Sequence, residues 1–230
     1  MQSIVDGGAI GTNNPLWQAR VFLNQAMSVG QRPLDYLYPD GTPGGFYRVA
    51  GLSGALTRVT GGTGGDVFSL RWTDTTKLCV IHKLLWWFVP TVAFGTEQEV
   101  THVLYIARAF TAADSAGTDI TPAAGQQMKR TSMADSLMSK IWIAGTGAIT
   151  AGTRTLDTQP IAARSQWVSG VGIGLAPYEA INFDNRDEYP VVLAANEGLV
   201  LQNVTTMGAS GTILLGVDVA WSEIDPAVIL

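Results

Sequence analysis

Leu199-Val200-Leu201-Gln202-Asn203-Val204, then Gly208-Ala209-Ser210-Gly211, then Thr212-Ile213-Leu214-Leu215-Gly216-Val217-Asp218-Val219-Ala220-Trp221-Ser222-Glu223-Ile224: this stretch decides the fold class. The last segment alternates. Ile213, Leu215, Val217, Val219 and Trp221 fall on one side, and Leu214, Gly216, Asp218, Ala220 and Ser222 on the other. Period-two alternation is the mark of a strand with one buried face. The Gly/Ser turn between the two apolar runs reads as a hairpin, with the second face of 212–224 mostly wet.

The same grammar extends towards the N-terminus. Phe46 to Ala50 reads as a short strand, and Asp66 to Trp72 alternates with Phe68, Leu70 and Trp72 on one face. Thr73-Asp74-Thr75-Thr76 is a turn. Lys77 to Val89 is a long apolar run limited by Pro90, and its aromatic and β-branched residues favour a strand. Glu97 to Phe110 is apolar on both faces, which predicts a central strand covered on both sides. Ile141 to Ile143, Thr155 to Ile161, Trp167 to Leu175 and Pro190 to Ala195 are weaker strand candidates. Between them, 112–140 is a long irregular excursion with one or two helical turns expected in 126–138. Excursions of that length tend to carry function or contact partners.

Eight to ten strands, long loops and almost no helix predict an all-β fold. The expectation is a β-sandwich, jelly-roll-like, with a different Greek-key sandwich as the alternative. Residues 1–45 differ: Gly7-Gly8, Asn13-Asn14-Pro15, Pro39-Asp40-Gly41 and Pro43-Gly44-Gly45 punctuate them, around one apolar piece at 16–27. They read as an extended N-terminal arm, and 46–230 as the sandwich domain.

Composition narrows function. Of 230 residues, 47% are hydrophobic and only 14% charged, with 26 glycines and 10 prolines. An average soluble domain carries about 25% charged residues, so part of this surface is expected to be hidden in an assembly, since obligate interfaces resemble a core cut in half. The composition excludes a coiled coil, a charged disordered tail and a disulfide scaffold. The net charge of -5 argues against nucleic-acid binding. The single cysteine, Cys79, sits in an apolar run and is expected to be buried and inert. Met1 to Asp6 carries no basic region, the first basic residue being Arg20, which predicts no secretory signal. Residues 198–217 hold Gln202, Asn203, Thr205, Thr206, Ser210, Thr212 and several glycines, too polar a set for a membrane span.

No catalytic, cofactor or metal residue emerges. Nucleophile-elbow, phosphate-loop and dinucleotide fingerprints are absent, and Gly170-Val171-Gly172-Ile173-Gly174 lacks the dinucleotide spacing. His82 and His102 can meet across strands and with a carboxylate hold a metal, but no spacing supports it; two structural histidines are expected. Asp184, Asp187 and Glu188 lack the spacing of a calcium loop. The pairs Glu97/Glu99 and Asp184/Asp187 can be posed as glycosidase carboxylates, but any acidic chain offers such pairs. Trp86-Trp87 reads as core plus interface rather than as a sugar platform. The chain is therefore expected to be neither an enzyme nor a cofactor protein.

The arrangement of segments resembles a group of structural proteins of tailed-bacteriophage virions. The stretches that carry the likeness are Phe46-Tyr47-Arg48-Val49, Val67 through Asp74, Ala93 through Val100, Ala107 through Ser115, Lys129 through Met133, Thr150 through Asp157 and Asn196-Glu197-Gly198 through Gly216 to Glu223. Together they span most of 46–230. These are strand and turn residues, so they carry fold more than function. The resemblance implies a virion component assembled in the host bacterial cytoplasm. It would be a head decoration or cement protein on the capsid surface, with the major capsid protein and its own copies, as a homotrimer, for partners. Neither nucleic acid nor membrane is an expected partner. The other reading is a tail, fibre or adhesin module recognising a host glycan, which an exposed Trp142 or Trp167 beside acids would favour.

Overall fold

Alternating apolar residues drive the longer strands to bury a face against a partner sheet, and the described residues form thirteen strands. The computed structural model describes residues 45–57, 65–126, 134–168, 177–182, 190–208 and 210–226. In chain order the strands are β1 (Gly45–Leu52), β2 (Leu56–Thr57), β3 (Asp66–Trp72), β4 (Leu78–Val92), β5 (Gln98–Arg108), β6 (Gly117–Asp119) and β7 (Lys140–Ala144). There follow β8 (Thr155–Leu156), β9 (Ala162–Val168), β10 (Tyr178–Asn182), β11 (Val191–Leu193), β12 (Glu197–Asn203) and β13 (Thr212–Ile224). The chain is an all-β sandwich of two antiparallel sheets.

The first sheet runs β1-β13-β4-β10, with β2 extending the β1 side of β13 and β11 the β10 side of β4. The second runs β6-β7-β3-β12-β5-β8, with β9 beside β8 on the same flank of β5. Eight main strands emerge if β8/β9 and β10/β11 each count as one interrupted strand and the two-residue β2 and the β6–β7 extension are set aside. Numbered along the chain, they read first-eighth-third-sixth in one sheet and second-seventh-fourth-fifth in the other.

The inner faces meet in one core. Trp72, Trp86, Trp221, Tyr47, Phe68 and Phe88 are its largest fully buried side chains, and Tyr47 stacks on Trp221 at 5.7 Å between centroids. Asp74 ties the β3–β4 turn, its Oδ1 accepting from the Thr76 and Lys77 amides at 2.8 Å, as the Thr73–Thr76 reading expects.

Several expectations change. The 199–204 and 212–224 runs do not form a hairpin. β12 pairs β3 and β5, β13 pairs β1 and β4, and the link between them crosses from one sheet to the other. Gly211 makes that crossing possible: its φ is +91°, and a Cβ there would stand 2.4 Å from the Phe94 ring. The second face of β13 is not wet either. The Trp87 ring lies across Gly216, the Arg48 guanidinium pairs with Asp218, and His82 Nε2 meets Ser222 Oγ at 2.6 Å.

Pro90 does not end β4. It stands opposite Ile213 beside the bulged Thr91, since Thr212 opposes Val92, and proline is tolerated in sheets next to such bulges. β1 opens at Gly45, one residue inside the segment assigned to the arm. The remainder of that arm, the helical turns expected at 127–133 and the acidic cluster Asp184, Asp187 and Glu188 lie outside the described residues. Among the described residues of 134–138 there is no helix. Nor is any described helix long and apolar enough to cross a membrane.

Candidate functional site

Three arrangements of polar or exposed side chains stand out from the sandwich. The first covers the outer face of the second sheet. Phe110, just past β5, packs on Ala107 and Val200 there, and Arg71 donates to the carbonyls of Phe110 at 2.6 Å and Thr111 at 2.7 Å. Arg154, with a side chain 4% exposed, lies over the Phe110 ring at 5.0 Å and pairs with both Asp66 and Asp114. Gln202 Nε2 donates to Asp66 Oδ1 at 2.6 Å, and the Gly152 amide to Asp114 Oδ1 at 2.6 Å. Burial pushes the Asp66 carboxyl up despite Arg154, and pulls the Arg154 guanidinium down. The cluster fastens the loops after β5 and before β8 onto the sheet.

The second arrangement is at the far end of β13. The Glu223 carboxylate is buried and accepts from Ser136 Oγ at 2.7 Å, Trp221 Nε1 at 3.1 Å and the Leu137 amide at 3.0 Å. Tyr47 Oη donates to the Ala134 carbonyl. The 112–140 excursion is thus strapped down at 134–138, and its first half carries β6, paired with β7. Burial raises the Glu223 carboxyl above the ordinary range. Across the ladder, burial and then Glu223 push the Cys79 thiol well up, and Cys79 is fully buried as expected.

The third is the β9 flank. β9 is turned partly inside out. Ala162 and Val168 face the core, but so do Arg164 and Gln166, while Ala163, Ser165 and Trp167 face solvent. The Arg164 guanidinium sits over the Tyr178 ring at 5.2 Å, and Tyr178 meets Trp86 edge-on at 4.9 Å. Opposite Arg164 in register is His102, fully buried at 5.1 Å from the Phe88 ring. Neither nitrogen of the His102 ring has a hydrogen-bond partner, and burial holds its imidazole down at about 4.

The residues singled out by the sequence disperse. His82 is the bulged residue of β4 in the first sheet, and His102 lies on β5 in the second. Among the described residues, no three His, Cys, Asp or Glu side chains converge to hold a metal. Glu97 and Glu99 are exposed. Trp86 is core, and Trp87 is half-buried on the outer face. Trp142 is half-buried, with the Lys140 ammonium 5.9 Å from its ring. Trp167 is 69% exposed and opposes Glu99 across the ladder. Sequence reading missed the Asp66–Arg154–Asp114 cluster, because its members are 88 and 40 residues apart and no local spacing links them. No protein-family model matches the chain, and no curated protein matches it in sequence.

Proposed function

We propose that this chain is a virion structural protein of a tailed bacteriophage, a capsid decoration or cement protein that binds the major capsid shell as a homo-oligomer, and that its sandwich is a jelly roll. The observation that carries the proposal is the pairing of main strands: first with eighth, second with seventh, third with sixth, fourth with fifth. That is the order left when one long antiparallel hairpin is rolled into two sheets, and double-sheet jelly rolls recur in viral capsid and lectin domains. Fold alone does not assign function. Two further features fit a cement. The low charge suits a surface partly hidden in an assembly, and the buried clasps at Arg154 and Glu223 hold the loops rigidly to the body. Many weak contacts to a repeating shell then sum by multivalency.

Copy number in purified virions, measured by quantitative peptide mass spectrometry against the major capsid protein, tests the reading. A count comparable to the capsid protein is expected on the capsid surface. A few copies would move the chain to the tail or fibres, and none would overturn the virion assignment. Within this reading the N-terminal segment supplies the shell contact. Deleting residues 1–40 is expected to abolish shell binding while the unfolding transition of the sandwich persists; unchanged binding would remove that role.

A further inference from the structure

Trp167 is the most exposed of the large apolar side chains among the described residues. It lies on β9, which among the described residues pairs only with β5. Among those residues no ring, cation or hydrogen bond occupies its indole. Around it the ladder is polar: Trp167 opposes Glu99, and Ser165 opposes Thr101. Thr101 Oγ1 lies 2.7 Å from Ser165 Oγ and donates to Glu99 Oε1 at 3.1 Å. The carboxylate is therefore steadied beside an open aromatic face, with its second oxygen uncommitted. Ala163, opposite the buried Val103, continues this patch, and none of these described residues is Lys or Arg.

We propose that the outer face of β9 and β5 around Trp167 is a binding subsite for a neutral hexopyranose unit of a glycan. The indole takes the C–H face of the ring, and Glu99 accepts from ring hydroxyls, with the Thr101 and Ser165 hydroxyls alongside. The chemistry separates this occupant from others. An anionic sugar or a nucleic acid meets the Glu99 charge with no cation to offset it. A protein partner wants a contiguous apolar centre with a polar rim, whereas here a single ring is surrounded by polar groups. Stacking on an aromatic ring beside a hydrogen-bonding carboxylate gives the C–H face of a sugar and the hydroxyls at its edge each a partner. The inference is independent of the virion reading, because it concerns what this face binds and not where the chain resides.

The test is titration of the full chain with maltohexaose, cellohexaose and N-acetylchitohexaose, with polygalacturonate as the anionic comparator. Tryptophan fluorescence and the Trp167 indole N–H resonance are the readouts. At least one neutral hexasaccharide is expected to saturate both signals. Trp167→Ala is expected to weaken binding about tenfold or more, and Glu99→Gln to weaken it by less, each leaving the unfolding midpoint in place because both side chains are exposed. The proposal is overturned if none of the three sugars moves the signals, if polygalacturonate binds as well as they do, or if Trp167→Ala binds unchanged. It is overturned equally if Trp167→Ala strips the protein from its shell while glycan binding was never present, which would make Trp167 a protein contact.

Discussion

Two regions of the interior treat buried polarity in opposite ways. On the loop-bearing side, Asp66, Asp114 and Glu223 each collect two or more donors, and the donors come from segments far away in the chain. On the β9 flank, His102 is as deeply buried and has no partner at all. The difference is one of purpose. The carboxylates fasten loops that carry too little apolar surface to hold themselves. His102 fastens nothing and stays buried only because it is neutral, its ring tilted at 48° against the apolar Phe88. Buried groups that anchor should be costly to remove, and buried groups that do not should be replaceable.

The sharpest break of that contrast is Arg154→Ala. It leaves Asp66 and Asp114 buried without their cation, and a loss of about 3–5 kcal/mol is expected in urea unfolding. A loss below about 1 kcal/mol would show that the cluster anchors nothing.

His102 sets the next effect, through pH. Its folded pKa of about 4 lies below the ordinary 6.5, so the unfolded chain takes the proton first. Stability from this residue is complete above pH 6.5 and is lost as pH falls towards 4, by about 3 kcal/mol. In His102→Phe that acid slope should flatten with stability at pH 7 kept or raised, and an unchanged slope would assign it to other groups.

Glu223 has the opposite sign. Its folded pKa is raised by burial, so its contribution is present below the ordinary 4.5 and falls away as pH climbs through the raised value. Glu223→Leu is expected to leave Ser136 and the Leu137 amide without an acceptor, at about 1–3 kcal/mol, and to speed hydrogen exchange at Leu137 more than in β4. Equal exchange at both places would mean that the 134–138 strap is held by something else.

The smallest change belongs to the surface. Arg108 bridges Asp157 and Glu197 in the open, and Arg108→Ala should cost about 1 kcal/mol or less, diminishing in high salt.

Strands were legible where apolar residues faced inward. Asp66–Trp72 was read to the residue, and β4, β5 and β7 were placed within a few residues. β9 was shifted, because its inward Arg164 and Gln166 and outward Trp167 invert the usual pattern. β10, Tyr178–Asn182, was not seen, since five residues that include Glu179 and Asn182 give no period. The false hairpin has a different cause. Alternation states that a segment is a strand, not which strand it joins, and a Gly/Ser link of that length closes a hairpin or crosses a sandwich equally well. For the candidate surface, the sequence pointed to Trp167 and Glu99 separately. Their juxtaposition needed the β5–β9 register, which pairs residues 99 and 167, 68 positions apart in the chain, and leaves no local trace.

The pairing of β1 with β13 also sets a timetable. On the ribosome β1 is made long before β13 (residues 212–224), the one strand it pairs with among the described residues. Until that segment emerges, β1 lacks this ladder, and the first sheet lacks the strand that joins β1 to β4. Such distant pairings fold slowly and keep apolar edges exposed in the meantime. β12 joins β3 to β5 almost as late, so neither sheet is complete until residues 197–224 are made, and until then the nascent chain needs shelter from its own neighbours on the same polysome.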